Sequence, residues 1–309
     1  MKVRIGTRGS RLALVQAEAV AAGLRARGAR VEIVAIRTSG DQLATVPLAD
    51  FGGKALFIKE VEDALLAGHV DVAVHSLKDM PAALPPGLTL AAFPRREDPA
   101  DVLVTRDGRG LDDLPPGARV GTSSLRRRVL LQRMRPDLLD VPIRGNVDTR
   151  LRKLADGQYD ALVLARAGLV RLGIEPPAMV RLPVDTFLPA AGQGILGVEA
   201  RAGEAPLLEL LATLDHTETR IQAEAERAFL YRLGAGCHTP VAGFARLAGP
   251  ALSVAGFVAS GDGNTVLTAA VSGAPSGARA LGEKLAEELL ARGAGALLIA
   301  DGTSREGER

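Results

Sequence analysis

The sequence predicts an α/β protein of two similar lobes followed by a smaller α+β unit, and three observations carry that expectation. Strand-like and helix-like patterns alternate over the first half of the chain, which is the grammar of open sheets covered by helices. Short segments also return in a fixed order. Arg4-Ile5-Gly6-Thr7 recurs as Arg119-Val120-Gly121-Thr122, Ile36-Arg37 as Ile143-Arg144, and Gly68-His69-Val70-Asp71 as Gly157-Gln158-Tyr159-Asp160. Three echoes in one order argue for two copies of one plan. Beyond Thr217 the pattern changes to a helix, three strand-like runs and a second helix.

Taken in order, residues 2–6 read as a strand and residues 10–27 as a helix with apolar positions at Leu12, Val15, Ala19 and Leu24. Residues 29–36 form a second strand. Residues 38–53 are polar and glycine-rich without a period, and a loop of that length inside a compact domain reads as a lid or binding loop. A short helix over 58–67 leads to an alternating strand over 70–76, which stops at Leu77-Lys78-Asp79-Met80-Pro81 because proline cannot continue it. The second series opens near Asp101, with strands at 119–121, 139–143 and 160–165 and helices at 123–134 and 147–155. Pro183, Pro189 and residues 190–194 mark a connection. A helix spans 217–233, and strands follow at 241–247, 252–260 and 265–271, the last two joined by a turn at Asp262-Gly263-Asn264. A helix over 278–291 precedes a polar tail expected to fray. The expected domains are 1–94 completed by 193–215, then 100–188, then 217–309.

Composition bounds the partners. The chain has 309 residues, 47% hydrophobic and 24% charged, which is the make-up of a soluble globular protein with ample core. It opens directly into a strand pattern, lacks an apolar leader, and has no apolar run long enough to span a bilayer. With a single cysteine, the expected location is the cytoplasm, without a membrane partner. Net charge is only +2, but residues 119–153 hold nine Arg and Lys153 against three Asp, a local +7 that leaves −5 for the rest. Such a block favours an anionic partner. Nucleic acid is excluded as the expectation, because the seven Phe and two Tyr all lie outside the block and there is no Trp on which bases could stack. Small polycarboxylates or phosphates fit better.

The candidate site residues gather at strand-to-helix junctions. Arg8 and Ser10 follow the first Gly-Thr, and Thr122, Ser123, Ser124, Arg126 and Arg127 surround the second. Free N–H groups at a helix start, its dipole and arginine forks together make a carboxylate or phosphate site. The plainer alternative is N-capping by the hydroxyls beside solvated arginines. Arg126, Arg127 and Arg128 lie ~100° apart around a helix, so Arg128 is left outside the site. Arg144-Gly145-Asn146-Val147-Asp148-Thr149-Arg150 repeats the device, with Asn146 as a cap. Lys78-Asp79 ends a strand, where a carboxylate beside an ammonium stays ionised and can orient or exchange a proton, or else forms an ordinary surface pair. Of only six lysines, Lys54, Lys59 and Lys78 cluster in the first lobe. Cys237, among glycines just past a helix, is inert filler, a nucleophile or an attachment point. His69, His75, His216 and His238 are scattered without zinc-type spacing, so no metal is expected. The glycine pairs match neither a dinucleotide nor a P-loop fingerprint.

The set Gly6-Thr7-Arg8-Gly9-Ser10-Arg11-Leu12-Ala13, Gly52-Gly53-Lys54, Val74-His75-Ser76-Leu77-Lys78-Asp79-Met80-Pro81, Gly121-Thr122-Ser123-Ser124-Leu125-Arg126-Arg127, residues 144–150 and Gly236-Cys237 closely resembles the porphobilinogen deaminase (hydroxymethylbilane synthase) family. The match runs from Val3 to about Gly243. It implies three domains, the first two being doubly wound lobes that resemble type II periplasmic binding proteins, in a monomer. It also implies the reaction: four porphobilinogen molecules condense head to tail into linear hydroxymethylbilane with release of ammonia. Growth occurs on a dipyrromethane cofactor tied by a thioether to Cys237, from which water finally releases the product.

By the same resemblance Lys78, Asp79, Thr122, Ser124, Arg126 and Arg127 are expected to hold the cofactor. Arg8, Ser10, Arg144, Arg150, Arg171 and Lys54 are expected to hold the substrate or the growing chain. Asp79 is the expected catalytic group, meeting pyrrole N–H groups and the cationic azafulvene left by ammonia. The chain has Gly234-Ala235-Gly236-Cys237 where many relatives have Gly-Gly-Cys, and Arg128 and Arg166 receive no role. Two rival readings are a two-lobed binding protein for anionic metabolites and a thiol enzyme using Cys237 with His238. The first leaves Cys237 and Asp79 idle, and the second has only the adjacent His238 as a base.

Overall fold

The computed structural model describes residues 1–36, 58–176, 178–235 and 239–303. They form two compact units, residues 1–97 with 194–223, and residues 98–193 with 224–309.

The first unit is built on a five-stranded sheet in the order β2-β1-β3-β10-β4, with β1 Lys2–Arg8, β2 Arg30–Ile36, β3 Val72–Ser76, β4 Leu88–Ala92 and β10 Leu196–Arg201. β1 runs parallel to β2 and β3, whereas β10 runs antiparallel between β3 and β4. Helix α1 (Arg11–Arg25) starts where the Ser10 side chain accepts the Ala13 N–H, and it buries Ala17, Val20, Ala21 and Leu24. That stripe packs with Val3 and Ile5 of β1 and with Leu207 and Leu211 of a second helix, Ala205–Ala212. The opposite face is covered by α2 (Lys59–Leu66), whose Val61 and Leu65 meet Val70 and Ala73. A sheet covered on both faces takes strands buried on both sides, as β3 is.

The second unit repeats this order as β7-β6-β8-β5-β9, with β5 Asp101–Thr105, β6 Arg119–Gly121, β7 Leu139–Val141, β8 Ala161–Ala165 and β9 Met179–Arg181. Again the first three are parallel and the fourth is antiparallel. Two of the three sequence echoes turn out to be the two sides of one interaction built twice. The Arg4 backbone N–H donates to Asp71 Oδ2 at 2.8 Å while its Nη2 donates to the Gly68 carbonyl at 2.9 Å. The Arg119 N–H donates to Asp160 Oδ2 at 2.8 Å and its Nη2 to the Gly157 carbonyl at 2.9 Å. The paired glycines share a cause as well. A Cβ on Gly6 would lie 2.9 Å from a Val70 methyl, and one on Gly121 3.0 Å from the Tyr159 ring, at the equivalent place in the echo.

Also in the second unit, three antiparallel strands, β11 Val241–Ala248, β12 Ala251–Ala259 and β13 Val266–Gly273, carry Ala242, Phe257 and Ala259 into one hydrophobic cluster with Leu103, Val120 and Val129. The Phe229 ring, from the helix Thr217–Leu233, seats on Gly243 and Gly256. The helix Ala278–Ala291 crosses that helix at Gly282, where a Cβ would come within 2.1 Å of the Ala225 carbonyl oxygen. Of the tail expected to fray, Ala294–Thr303 is helical and residues 304–309 lie outside the described residues. Gly293, at φ +96°, turns the chain, and the Ala294-Gly295-Ala296-Leu297-Leu298 run restarts the helix with Ala294 buried.

Candidate functional site

In the first unit, Lys78 and Asp79 occupy a single 3-10 turn, Leu77–Asp79, directly after β3. Leu77 and Met80 bracket the pair and are buried with Ile58, Phe93 and Ile195, while Lys78 and Asp79 keep partial exposure. The Leu77 N–H donates to the Ile195 carbonyl at 2.9 Å, and the Met80 N–H closes the turn on the Leu77 carbonyl. Gly197 of β10 leaves the room that Leu77 and Met80 fill, since a Cβ there would sit 3.1 Å from the Met80 sulfur. The end of β3 is also fastened to α1, with Gln16 Nε2 donating to Ser76 Oγ at 2.9 Å. Two buried anchors around two accessible polar residues give the Asp79 carboxylate a fixed stem. Arg8 ends β1, and Ser10 caps α1 by accepting the Ala13 N–H, which leaves its own O–H to donate.

A buried cluster that the sequence did not reveal joins the same strand to β10 and α2. His75 Nε2 is 3.2 Å from Glu199 Oε2, with Glu199 fully buried. Glu62 of α2 is buried beside them, and desolvation, with the Glu199 charge adding to it, pushes its carboxyl up to about 7.

In the second unit, the β6-to-helix junction is a built cationic site. Ser124 caps the helix α3 (Leu125–Met134) by accepting the Arg127 N–H, and buried Thr122 accepts the Ser124 N–H at 3.2 Å. Arg126 and Arg127 are not solvated, as the alternative reading of the sequence had them, but only 5% and 8% exposed. Both converge on Asp101 at the start of β5. Arg126 Nη2 donates to Oδ2 at 2.7 Å, and Arg127 donates from Nη2 at 2.7 Å and Nε at 3.2 Å to Oδ1. Their remaining contacts include carbonyls, Leu188 for Arg126 at 2.6 Å and Val163 for Arg127 at 3.0 Å. The Phe187 ring lies 5.9 Å from the Arg126 guanidinium. Burial alone would raise the Asp101 carboxyl, but Arg126 and Arg127 outweigh it and hold it well below the usual carboxylate range.

Two guanidinium groups face one carboxylate here, so the cluster keeps one positive charge in excess inside the protein. Arg150 adds to it. Burial, and then the charge of Arg127, push its guanidinium below its ordinary value. Arg150 stands in the first turn of the helix α4 (Val147–Ala155), which Asn146 caps by accepting the Thr149 N–H at 2.9 Å. Arg144 lies just before that cap, and Ser123 fastens the two segments together by donating to the Ile143 carbonyl at 2.6 Å. The structure thus brings Thr122, Ser124, Arg126 and Arg127 together with the 143–150 segment. Arg171 stands apart from these in sequence, in the last turn of the helix Arg166–Leu172. Arg128 pairs with Asp140 and Arg166 with Asp98. Lys54 and Cys237 lie outside the described residues.

Asp101 is the residue that sequence reasoning missed. Asp101 and Asp160 pair into the +7 block from outside residues 119–153 and lower its charge to +5. A donor set with a buried positive surplus fits a group that carries carboxylates.

Comparison with known proteins adds the following. The family described as porphobilinogen deaminase, dipyromethane cofactor binding domain, matches residues 3–209, and its C-terminal domain matches residues 220–291. The porphobilinogen deaminase of Roseiflexus castenholzii is 52% identical over 296 residues, covering 95% of this chain and 97% of its own. Those of Desulforudis audaxviator and Syntrophobacter fumaroxidans are 52% and 50% identical, each over 96% of this chain and covering 97% and 96% of their own lengths. Among solved structures, the methionine-binding protein MetQ aligns with 69% of this chain and 89% of its own at 13% identity and a TM-score of 0.44. The two-lobed assignment rests on the repeated strand order and not on that alignment.

Proposed function

The chain belongs to the porphobilinogen deaminase family, and from that premise we infer that it is a hydroxymethylbilane-forming transferase, condensing four porphobilinogen molecules with loss of ammonia on a dipyrromethane cofactor. When bound, the dipyrromethane supplies the pyrrole carbon on which the chain grows. Cys237 is its point of attachment in this reading. Arg126 and Arg127 bind cofactor carboxylates from their buried, positively charged cluster, helped by Thr122 and Ser124 at the helix start and by Lys78. Arg8, Ser10, Arg144, Arg150, Arg171 and Lys54 hold the acetate and propionate groups of the substrate or the elongating chain.

Asp79 is the catalytic residue. Its carboxylate accepts pyrrole N–H groups and opposes the positive charge that develops on substrate carbon as ammonia leaves; it can also take and return the proton exchanged on coupling. The domains are assigned as 1–94 with 193–215, 100–188 and 217–309, in a monomer of the cytoplasm. No helix among the described residues is long and apolar enough to cross a membrane.

The observation that carries the site assignment is the pairing of two buried guanidinium groups with a single carboxylate. An anion-binding protein without catalysis would share that feature. It would not need a carboxylate on a clamped turn or the family's cofactor domain, which matches residues 3–209. Asp79→Asn separates the two readings. The variant is expected to keep the cofactor mass and to bind porphobilinogen while turnover falls about 100-fold or more. Near-normal turnover removes Asp79 from the mechanism.

A further inference from the structure

Asp101 lies 25 and 26 residues before the two arginines in sequence, yet its carboxylate is the group on which both guanidinium groups converge. It is fully buried at the first position of β5, paired in register with Ala165 of β8. Oδ2 accepts from Arg126 Nη2 at 2.7 Å, and Oδ1 accepts from Arg127 Nη2 at 2.7 Å and from Gln193 Nε2 at 3.0 Å. Gln193, itself buried, also donates to the Pro99 carbonyl at 2.7 Å, which ties the chain just before β5 to the same group. Each guanidinium is thus held on two sides, by Asp101 and by a backbone carbonyl, Leu188 for Arg126 and Val163 for Arg127, which fixes its plane. Asp101 neutralises only one of the two charges. A second buried carboxylate would have cancelled the site's attraction for an anion, and none at all would have left two like charges unopposed in a low-dielectric interior.

We propose that Asp101 is the positioning residue of the cofactor site: it aligns the Arg126 and Arg127 guanidinium groups and, by neutralising only one of them, leaves a positive surplus for an incoming carboxylate. The proposal rests on the reading of Arg126 and Arg127 as cofactor-binding residues. Asp101 acts through them and does not itself touch the ligand.

The test is the cofactor load of folded protein, read as intact mass after expression in cells that make porphobilinogen, with thermal unfolding measured on the same samples. Folded Asp101→Asn is expected to carry the added mass in a fraction about ten-fold or more below wild type, the effect of misplacing one charge-assisted hydrogen bond. Asp98→Asn is the control. It removes a carboxylate that also serves two arginines of this unit, Arg166 and Arg181, and is expected to load fully. Folded Asp101→Asn with a wild-type load overturns the proposal. If Asp101→Asn does not fold, Asp101→Glu carries the test, since it keeps the charge and moves it by one methylene. A clear fall in load supports the alignment role, and a full load overturns it. Arg126→Leu and Arg127→Leu separate the two levels of the argument. If both load fully, the cofactor reading of the arginines fails and takes this proposal with it. If both lose the cofactor while Asp101→Asn keeps it, only the role of Asp101 fails.

Discussion

Glu62 shows how far a single buried carboxyl is shaped by its neighbours. Buried on α2 beside Glu199 and His75, it ionises only near pH 7, because desolvation and the Glu199 charge both oppose the anion, against a smaller favourable effect of His75. Its folded value lies above the ordinary 4.5, so the fold prefers the protonated form. The penalty is absent below pH 4.5, grows as pH rises from there to about 7, and is constant above. Glu62→Gln removes the titration. Relative to the parent, the variant is expected to gain on the order of 2 kcal/mol of stability between pH 5 and pH 8. Urea unfolding at those two pH values measures the gain, and a stability difference that stays flat across them contradicts it. Asp101 is the opposite case, a carboxylate that two arginines keep ionised despite complete burial. Its contribution is present above its ordinary pKa and is lost only in strong acid.

At the scale of elements, close packing decides several signs that propensity alone would get wrong. Gly282 lies inside the helix Ala278–Ala291, where exchanging Gly for Ala on an exposed face is worth roughly 1 kcal/mol in favour of the helix. Here the added Cβ would meet the Ala225 carbonyl oxygen at 2.1 Å and the Phe229 nitrogen at 2.9 Å, both backbone atoms that cannot swing away. Gly282→Ala is therefore expected to destabilise the protein by about 2 kcal/mol or more, with overpacking winning over propensity. Thermal unfolding checks this, and an unchanged or raised Tm contradicts it. The same packing explains what the sequence pattern could and could not convey. The bounds of Val147–Ala155, Thr217–Leu233 and Ala278–Ala291 were readable because caps, proline or glycine punctuate their ends and an amphipathic period fills them. β9 has three residues and β10 is buried on both faces, so neither shows the alternation by which a strand is recognised. The role of Asp101 was hidden for a related reason. Within Asp101-Val102-Leu103-Val104-Thr105 it reads as a polar strand start, and its partners come 25 and 26 residues later in the chain.

Across the whole molecule, the internal repeat was the most productive feature of the sequence. Three short echoes anticipated two sheets of one strand order, and two of them mark the same Arg–Asp contact in each. The family resemblance then supplied what no pattern of spacing could: a reaction, a cofactor and the proposed role of a lone thiol. The central claim is that this thiol carries a dipyrromethane and that the buried arginines exist to hold it. Intact-mass measurement of the purified active protein tests that claim most directly. The expected result is a mass above that of the 309-residue chain by two porphobilinogen-derived pyrrole units, absent in Cys237→Ala. An active protein with the unmodified mass would contradict it.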